Sequence, residues 1–112
     1  MSVDQALETA LSQLGIPTAR NLYGGQAVEY ITTNYETMPT VFAERAPHAA
    51  RNIVQVHYHL PHGDNPNSML QQISEALWEA GFTWPAITNA SDADGQHYAL
   101  ECEYVNGGGY YA

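Results

Sequence analysis

The chain has 112 residues with 12 acidic side chains, three arginines and no lysine, so its formal net charge at pH 7 is -9. This length predicts a single domain, and the charge argues against a protein that binds nucleic-acid phosphates, because such proteins need clustered lysine and arginine. One cysteine excludes an internal disulfide framework. No apolar run approaches the ~18 residues of a membrane span, and without a basic leader or apolar N-terminal stretch we expect no secretory signal.

The apolar composition is poor in aliphatic residues and rich in tyrosine. Val, Ile, Leu and Phe number 21, a fraction that in a highly charged chain is typical of disorder. We reject disorder because eight tyrosines, two tryptophans and three methionines add bulky apolar surface, and because the apolar residues are periodic. Tyrosine is favoured at protein interfaces, so the composition favours a subunit of an assembly.

The N-terminal pattern predicts an amphipathic helix over residues 3–14. Ser2 and Gln5 have the spacing of a capping box. Apolar side chains recur at steps of three and four along one face. Gly15 and Pro17 then end the helix, and its apolar stripe must lie on another apolar surface.

Strands follow the helix. Residues rich in β-branched and aromatic types predict strands at 20–23, 27–35 and 40–44. The clearest strand is 52–60, where apolar and polar side chains alternate as in a half-buried antiparallel strand. Its apolar side chains are Val54, Val56, Tyr58 and Leu60, and the polar ones opposite are Gln55, His57 and His59.

The second half of the chain also begins with a helix. A second amphipathic helix is predicted over 67–80, with Asn65 or Asn67 as its cap and Gly81 as its end. An extended piece begins at Trp84, and residues 91–95 form a polar turn. The last strand, 97–105, alternates cleanly. Tyr98, Leu100, Cys102 and Tyr104 face inward, and Glu101 and Glu103 face outward.

These elements predict an α+β fold. Two amphipathic helices pack on one face of a four- to five-stranded, mostly antiparallel sheet. Residues 1–106 form the single domain, and residues 107–112 form a flexible Gly/Tyr tail.

The candidate chemical groups each have an ordinary structural interpretation. His57 and His59 share a strand face, and His97 could add a third metal ligand, but a polar strand face is the favoured interpretation. Cys102 is interpreted as a buried structural thiol, and Asp92 and Asp94 as turn residues rather than a calcium site. We therefore expect no catalytic residue, no metal and no cofactor.

The arginines admit two interpretations. Arg45 and Arg51 bracket a short segment of small residues. They are either two solvated charges worth little in stability or the positive halves of ion pairs between subunits, since arginine is enriched at interfaces.

The string YITTNYETMPTVFAERAP, residues 30–47, resembles the tail-completion or tail-terminator proteins of long-tailed bacteriophages. Other features occur in the same order: Leu14-Gly15-Ile16-Pro17 after the first helix, Val54-Gln55-Val56-His57, and Ala76-Leu77-Trp78-Glu79-Ala80-Gly81-Phe82 at the end of the second. An acidic turn, residues 92–95, then precedes His97-Tyr98. The resemblance covers most of residues 3–105.

The resemblance implies a structural role. Such proteins form a hexameric ring that caps the tail tube, ends its polymerisation and joins the tail to the head connector, with DNA passing through unbound. It implies a location at the tail–neck junction of the virion, and in the host cytoplasm during assembly. The alternatives are another neck or connector component, or an acidic inhibitor of a host protein.

Two sets of residues are the candidate surfaces. We expect Tyr35, Phe42, Glu44, Arg45, Arg51, Trp84, Tyr110 and Tyr111 at a subunit or tail interface. We expect Glu101 and Glu103 on an acidic face that repels DNA.

Overall fold

A computed structural model describes residues 1–39, 42–43, 46–47 and 49–107. Two helices and a five-stranded sheet form its body, and two short strands pair separately. The elements are α1 (Val3–Leu11), β1 (Thr18–Arg20), β2 (Tyr30–Pro39), β3 (Phe42–Ala43), β4 (Ala46–Pro47), β5 (Ala49–Leu60), α2 (Asn67–Glu79), β6 (Ala86–Asn89) and β7 (Gln96–Gly107).

The predicted α+β class is confirmed. The sheet order is β1-β2-β5-β7-β6; β1 pairs with β2 in parallel, and all other neighbours are antiparallel. The separate pair β3–β4 lies within the connection from β2 to β5. Both helices contribute buried apolar residues to one core cluster with the sheet, so the layer of helices covers a single face.

Helix α1 begins as the sequence predicts. The Ser2 side chain accepts a hydrogen bond from the Gln5 amide, and the Gln5 side chain accepts one from the Ser2 amide. The α-helix ends at Leu11, and residues 12–14 continue as a 3₁₀ turn. Gly15 then takes a left-handed conformation with φ +74°, which only glycine adopts at little cost.

Several predicted boundaries are wrong. The strand predicted at 20–23 lies at Thr18–Arg20, and β2 runs from Tyr30 rather than residue 27. Neither predicted asparagine caps α2 with its side chain; Pro66 holds the cap position, and the Asn65 side chain instead accepts a hydrogen bond from the Asn67 amide. Strand β7 extends to Gly107, and residues 108–112 lie outside the described part of the chain.

The core lies between the helices and the alternate side chains of the strands. Along β5, every even-numbered residue from Ala50 to Leu60 is buried. This confirms the alternation seen in the sequence. The core comprises Val3, Ala6, Leu7, Ala10 and Leu11 of α1, Leu70, Ile73, Ala76 and Leu77 of α2, and Ile31, Val54, Val56, Tyr58, Leu60, Phe82, Leu100 and Cys102.

Candidate assembly surfaces

The face of the sheet opposite the helices carries polar side chains. Because β2, β5 and β7 are paired in register, Thr32, His57 and Ala99 form one row across it, and Tyr30, His59 and His97 form the next. The helices lie on the other side of the sheet, and on this side Tyr23, from the connection between β1 and β2, stacks on Tyr30. We call this side the open face; antiparallel sheets commonly present such a face to water.

The predicted acidic pair lies on the open face. Glu101 is exposed, and its carboxylate accepts a 3.5 Å hydrogen bond from Gln55. Glu103 forms an ion pair with Arg51 of the same chain; the hydrogen bond from Arg51 lowers the pKa of Glu103 and raises that of Arg51. Both carboxylates therefore face outward as expected, but Arg51 offsets one of the two charges, and the repulsion of DNA stays a prediction.

The predicted interface residue Tyr35 lies on the side of the sheet that carries the helices. Its hydroxyl donates a 2.9 Å hydrogen bond to Asp4 of α1, and the guanidinium of Arg20 lies 4.8 Å from the centre of its ring. Burial, followed by the hydrogen bond to Asp4, raises the pKa of Tyr35. Tyr35 thus joins α1 to β2 within the chain.

Trp84 is exposed, as an interface residue should be, and it has a neighbour that the prediction missed. Trp78 of α2 packs against it edge-on, with ring centres 6.3 Å apart, and the two side chains are 59% and 50% exposed. Ile87 of β6 is also exposed. We call Trp78, Trp84 and Ile87 the tryptophan patch. The signal was available, because Trp78 falls outside the apolar stripe of the predicted helix.

A second exposed apolar side chain lies at the opposite edge of the sheet. Leu22 comes two residues after β1 and is 81% exposed. We call it the leucine patch. Val28, in the same connection and 71% exposed, instead lines a cavity with His59 and His97. Sequence reasoning missed the leucine patch because Leu22 lies near the end of a predicted strand, where burial could not be assigned.

Five interface candidates remain. Phe42 lies in β3, where the backbone is described. Glu44, Arg45, Tyr110 and Tyr111 lie outside the described residues, and their role stays a prediction.

Three histidines meet on the open face. Nδ1 of His57 lies 2.8 Å from Nε2 of His97, and Nε2 of His57 lies 2.9 Å from Oδ1 of Asn34. His59 stacks on His97 at 4.3 Å between ring centres. We call His57, His59 and His97 the histidine cluster. Two open cavities of about 410 and 450 Å³ flank it.

The electrostatics of the histidine cluster disfavour positive charge. Burial, and next the neighbouring imidazole of His97, lower the pKa of His57. The same causes, with His57 added, lower the pKa of His59 to about 4, although Asp92 acts in the opposite direction. Among the described residues, no three His, Cys, Asp or Glu side chains are arranged to hold a metal ion.

The other chemical candidates have structural roles. Cys102 is a free, buried thiol, and its pKa is raised to about 12 by burial and by Glu101 and Glu103. Asp92 accepts a hydrogen bond from the Asp94 amide and forms a bridge to Gly95, which makes this segment the predicted turn.

Comparisons with known proteins define the fold and leave the family open. No family model matches the chain, and no curated protein matches it. A solved structure whose name states no function aligns over 96% of this chain and 94% of its own, with 15% identity and a TM-score of 0.64. At that identity the likeness establishes a shared α+β fold. No helix in the described residues has the length and apolar character needed to cross a membrane.

Proposed function

We propose that this protein is a structural subunit of a long-tailed bacteriophage. It assembles into a hexameric ring that caps the tail tube, ends its polymerisation and joins the tail to the head connector. Its place is the tail–neck junction of the virion, and it has no catalytic role. The sequence resemblance supplies the family, and the arrangement of apolar surface supports assembly of this kind.

The observation that carries the proposal is the position of the two apolar patches. Trp84 and Ile87 of the tryptophan patch lie beside and within β6, which is one edge of the sheet, and the leucine patch follows β1, which is the other. Two unlike patches on opposite edges suit a head-to-tail contact, in which each copy offers one patch to the next. Such a contact closes into a ring when the rotation between copies divides a full turn.

The sheet edges themselves favour the same assembly. All four residues of β6 are exposed, and in the described chain neither β6 nor β1 has a neighbour on its outer side. Soluble proteins often protect free edges with lysine, and this chain has none. Both edges are therefore open to pairing with another strand.

The charge is compatible with passage of DNA. A chain with a net charge of -9 repels the phosphate backbone. Glu101 adds to this repulsion of DNA if the open face lines the channel of the ring. The test is to neutralise Glu101 and Glu103 in assembled particles and to measure the rate of DNA ejection. An unchanged rate would contradict the hypothesis that the open face lines the channel.

Two measurements test the proposal. Light scattering and electron microscopy of the purified chain are expected to show rings of six copies of the 12.3 kDa subunit, alone or on added tail tubes. The double variant Trp78→Ser, Trp84→Ser is expected to lose rings, whereas Val105→Ser, which removes an exposed apolar side chain from the open face, keeps them.

The biological test is deletion of the gene from its phage. We expect tubes of abnormal length or tails that fail to join heads. Normal virions from the deletion would overturn the proposed function, whatever the purified chain does in solution.

A further inference from the structure

The bonding of the histidine cluster fixes where its protons lie. The carbonyl oxygen of the Asn34 side chain only accepts hydrogen bonds, so Nε2 of His57 carries the hydrogen of that contact. Neutral His57 therefore has its lone pair at Nδ1. The 2.8 Å contact then requires Nε2 of His97 to carry a hydrogen and donate it to His57. A directed chain of bonds runs from His97 through His57 to Asn34.

We propose that the histidine cluster is a proton-operated latch, which accepts one proton without rearrangement and opens when it accepts a second. The ring nitrogen available to accept the first proton is Nδ1 of His97, for which no hydrogen-bond partner occurs in the described structure. The resulting His97 cation still donates from Nε2 to neutral His57, and a charged donor makes this hydrogen bond stronger.

No ring nitrogen of the cluster can accept a second proton without breaking a contact. On Nδ1 of His57 it would set two N–H groups against each other across 2.8 Å and remove the hydrogen bond. On His59 it would set a cation against the charged ring stacked 4.3 Å away. The lowered pKa values of His57 and His59 agree with this order, because both side chains resist charge.

The latch holds the connection between β1 and β2. His59 stacks on Tyr30 at 4.5 Å, and Tyr30 stacks on Tyr23 at 4.6 Å. The Tyr23 hydroxyl in turn accepts a 3.1 Å hydrogen bond from the Ala27 amide. Separation of the histidines removes the base of this aromatic column, so residues 21–29 lose their aromatic attachment to the open face, while Asn21 and Glu29 at the two ends keep their hydrogen bonds to Thr33 and Tyr58. We call this loss of attachment the release of residues 21–29.

The other titratable groups around the cluster do not offset the cost of charging its histidines. Tyr23 and Tyr30 come from the connection and from β2, and Asp92 and Asp94 line the neighbouring cavity from the turn before β7. Asp92 favours the charged form of His59, but its effect is smaller than that of burial and of the neighbouring imidazoles. The cluster therefore opens only in acid.

Nitrogen-15 NMR of the five histidines in the full chain tests the order of protonation. We expect His57 with its hydrogen on Nε2 at neutral pH, and His59 staying neutral to about pH 4. The amides of residues 21–29 are expected to change with the second proton, not the first. Independent titration of the three side chains with one shared midpoint, or His57 charging first, would overturn the latch.

A charge variant tests the opening directly. Asn34→Asp places a carboxylate on the hydrogen of His57 and so favours its cation, which should move release of residues 21–29 upward by about one pH unit. Asn65→Asp is the matched control, since it adds the same charge on an exposed loop, and it should leave the midpoint unchanged. Equal midpoints in the two variants would contradict the proposal, and if Asn34→Asp does not fold, the NMR titration of the unaltered chain decides.

Discussion

The buried side-chain amide of Asn52 links three strands of the sheet by hydrogen bonds. It is 1% exposed and lies on β5 between β2 and β7. Its side chain donates to the Tyr104 carbonyl at 2.9 Å and to the Asn106 side chain at 2.7 Å, and accepts from the Thr37 hydroxyl at 2.7 Å. The amide therefore joins three strands in a region where alternation alone predicts an apolar side chain.

We expect Asn52→Ala to lower the free energy of unfolding by about 2–3 kcal/mol, because it removes all three hydrogen bonds of a buried amide at once. Urea denaturation followed by circular dichroism measures this change. Gln55→Ala, on the open face of the same strand, should cost less than about 0.5 kcal/mol. Equal losses in the two variants would show that the buried network adds nothing.

Cys102 provides a second test at the scale of one residue. Burial and two flanking glutamates raise its pKa to about 12, so almost no thiolate forms at pH 8. A thiol-specific chromogenic disulfide should therefore label the native chain very slowly and the urea-unfolded chain rapidly, with one thiol per chain. Rapid labelling of the native chain at pH 8 would contradict the buried assignment.

At the scale of elements, strand positions depend on partners. The sequence places the first strand at 20–23, but the chain turns at Asn21, whose φ is 65°. The amide of Ile31 donates to the Pro17 carbonyl, and the amide of Asn21 donates to the Thr33 carbonyl. These hydrogen bonds to β2 place the edge strand two residues earlier than the predicted range. The local sequence does not predict them, because their acceptors and donors lie in a different part of the chain.

His59 on β5 makes the stability of the folded chain depend on pH. Because the pKa of His59 is about 4 in the folded chain and its ordinary value is 6.5, the unfolded chain binds the proton first as pH falls. The stability from neutral His59 is complete above about pH 7 and is lost between about pH 6.5 and 4. After allowance for solvent screening we expect a loss of about 1–2 kcal/mol.

Thermal unfolding at a series of pH values measures this loss. His59→Phe keeps a flat ring on Tyr30 and His97 but does not titrate, so its stability should fall less over the same range. A His59→Phe profile parallel to that of the unaltered chain would contradict the assignment.

At the scale of the whole molecule, two forces act on self-association. Apolar patches at both sheet edges favour it, and a net charge of -9 on every copy opposes it. Arg51, a candidate for pairing between subunits, already has Glu103 of its own chain as a partner.

The dependence of self-association on salt concentration distinguishes the apolar attraction from the charge repulsion. If apolar edges join the copies, raising the salt from about 0.01 M to 0.15 M should increase the oligomeric fraction, because the Debye length falls from about 30 to 8 Å and the repulsion is screened. Light scattering at fixed protein concentration measures this. Dissociation by salt would instead indicate ion pairs between subunits, with Arg45 as the cation to test.

The sequence by itself determined the two helices, the inward and outward sides of β5 and β7, and the α+β class. These follow from periodicity, because an apolar side chain every second or every third to fourth residue leaves few ways to bury one face. The outward position of Glu101 and Glu103 followed for the same reason.

Only the tertiary structure decided which distant side chains meet. The stacking of His59 on His97 depends on the register between β5 and β7. The meeting of Trp78 with Trp84 depends on how α2 leads into β6, and the opposite positions of the two apolar patches depend on the strand order. Register and strand order are set by the sum of many contacts between residues far apart in the chain, and no local pattern of residues contains them.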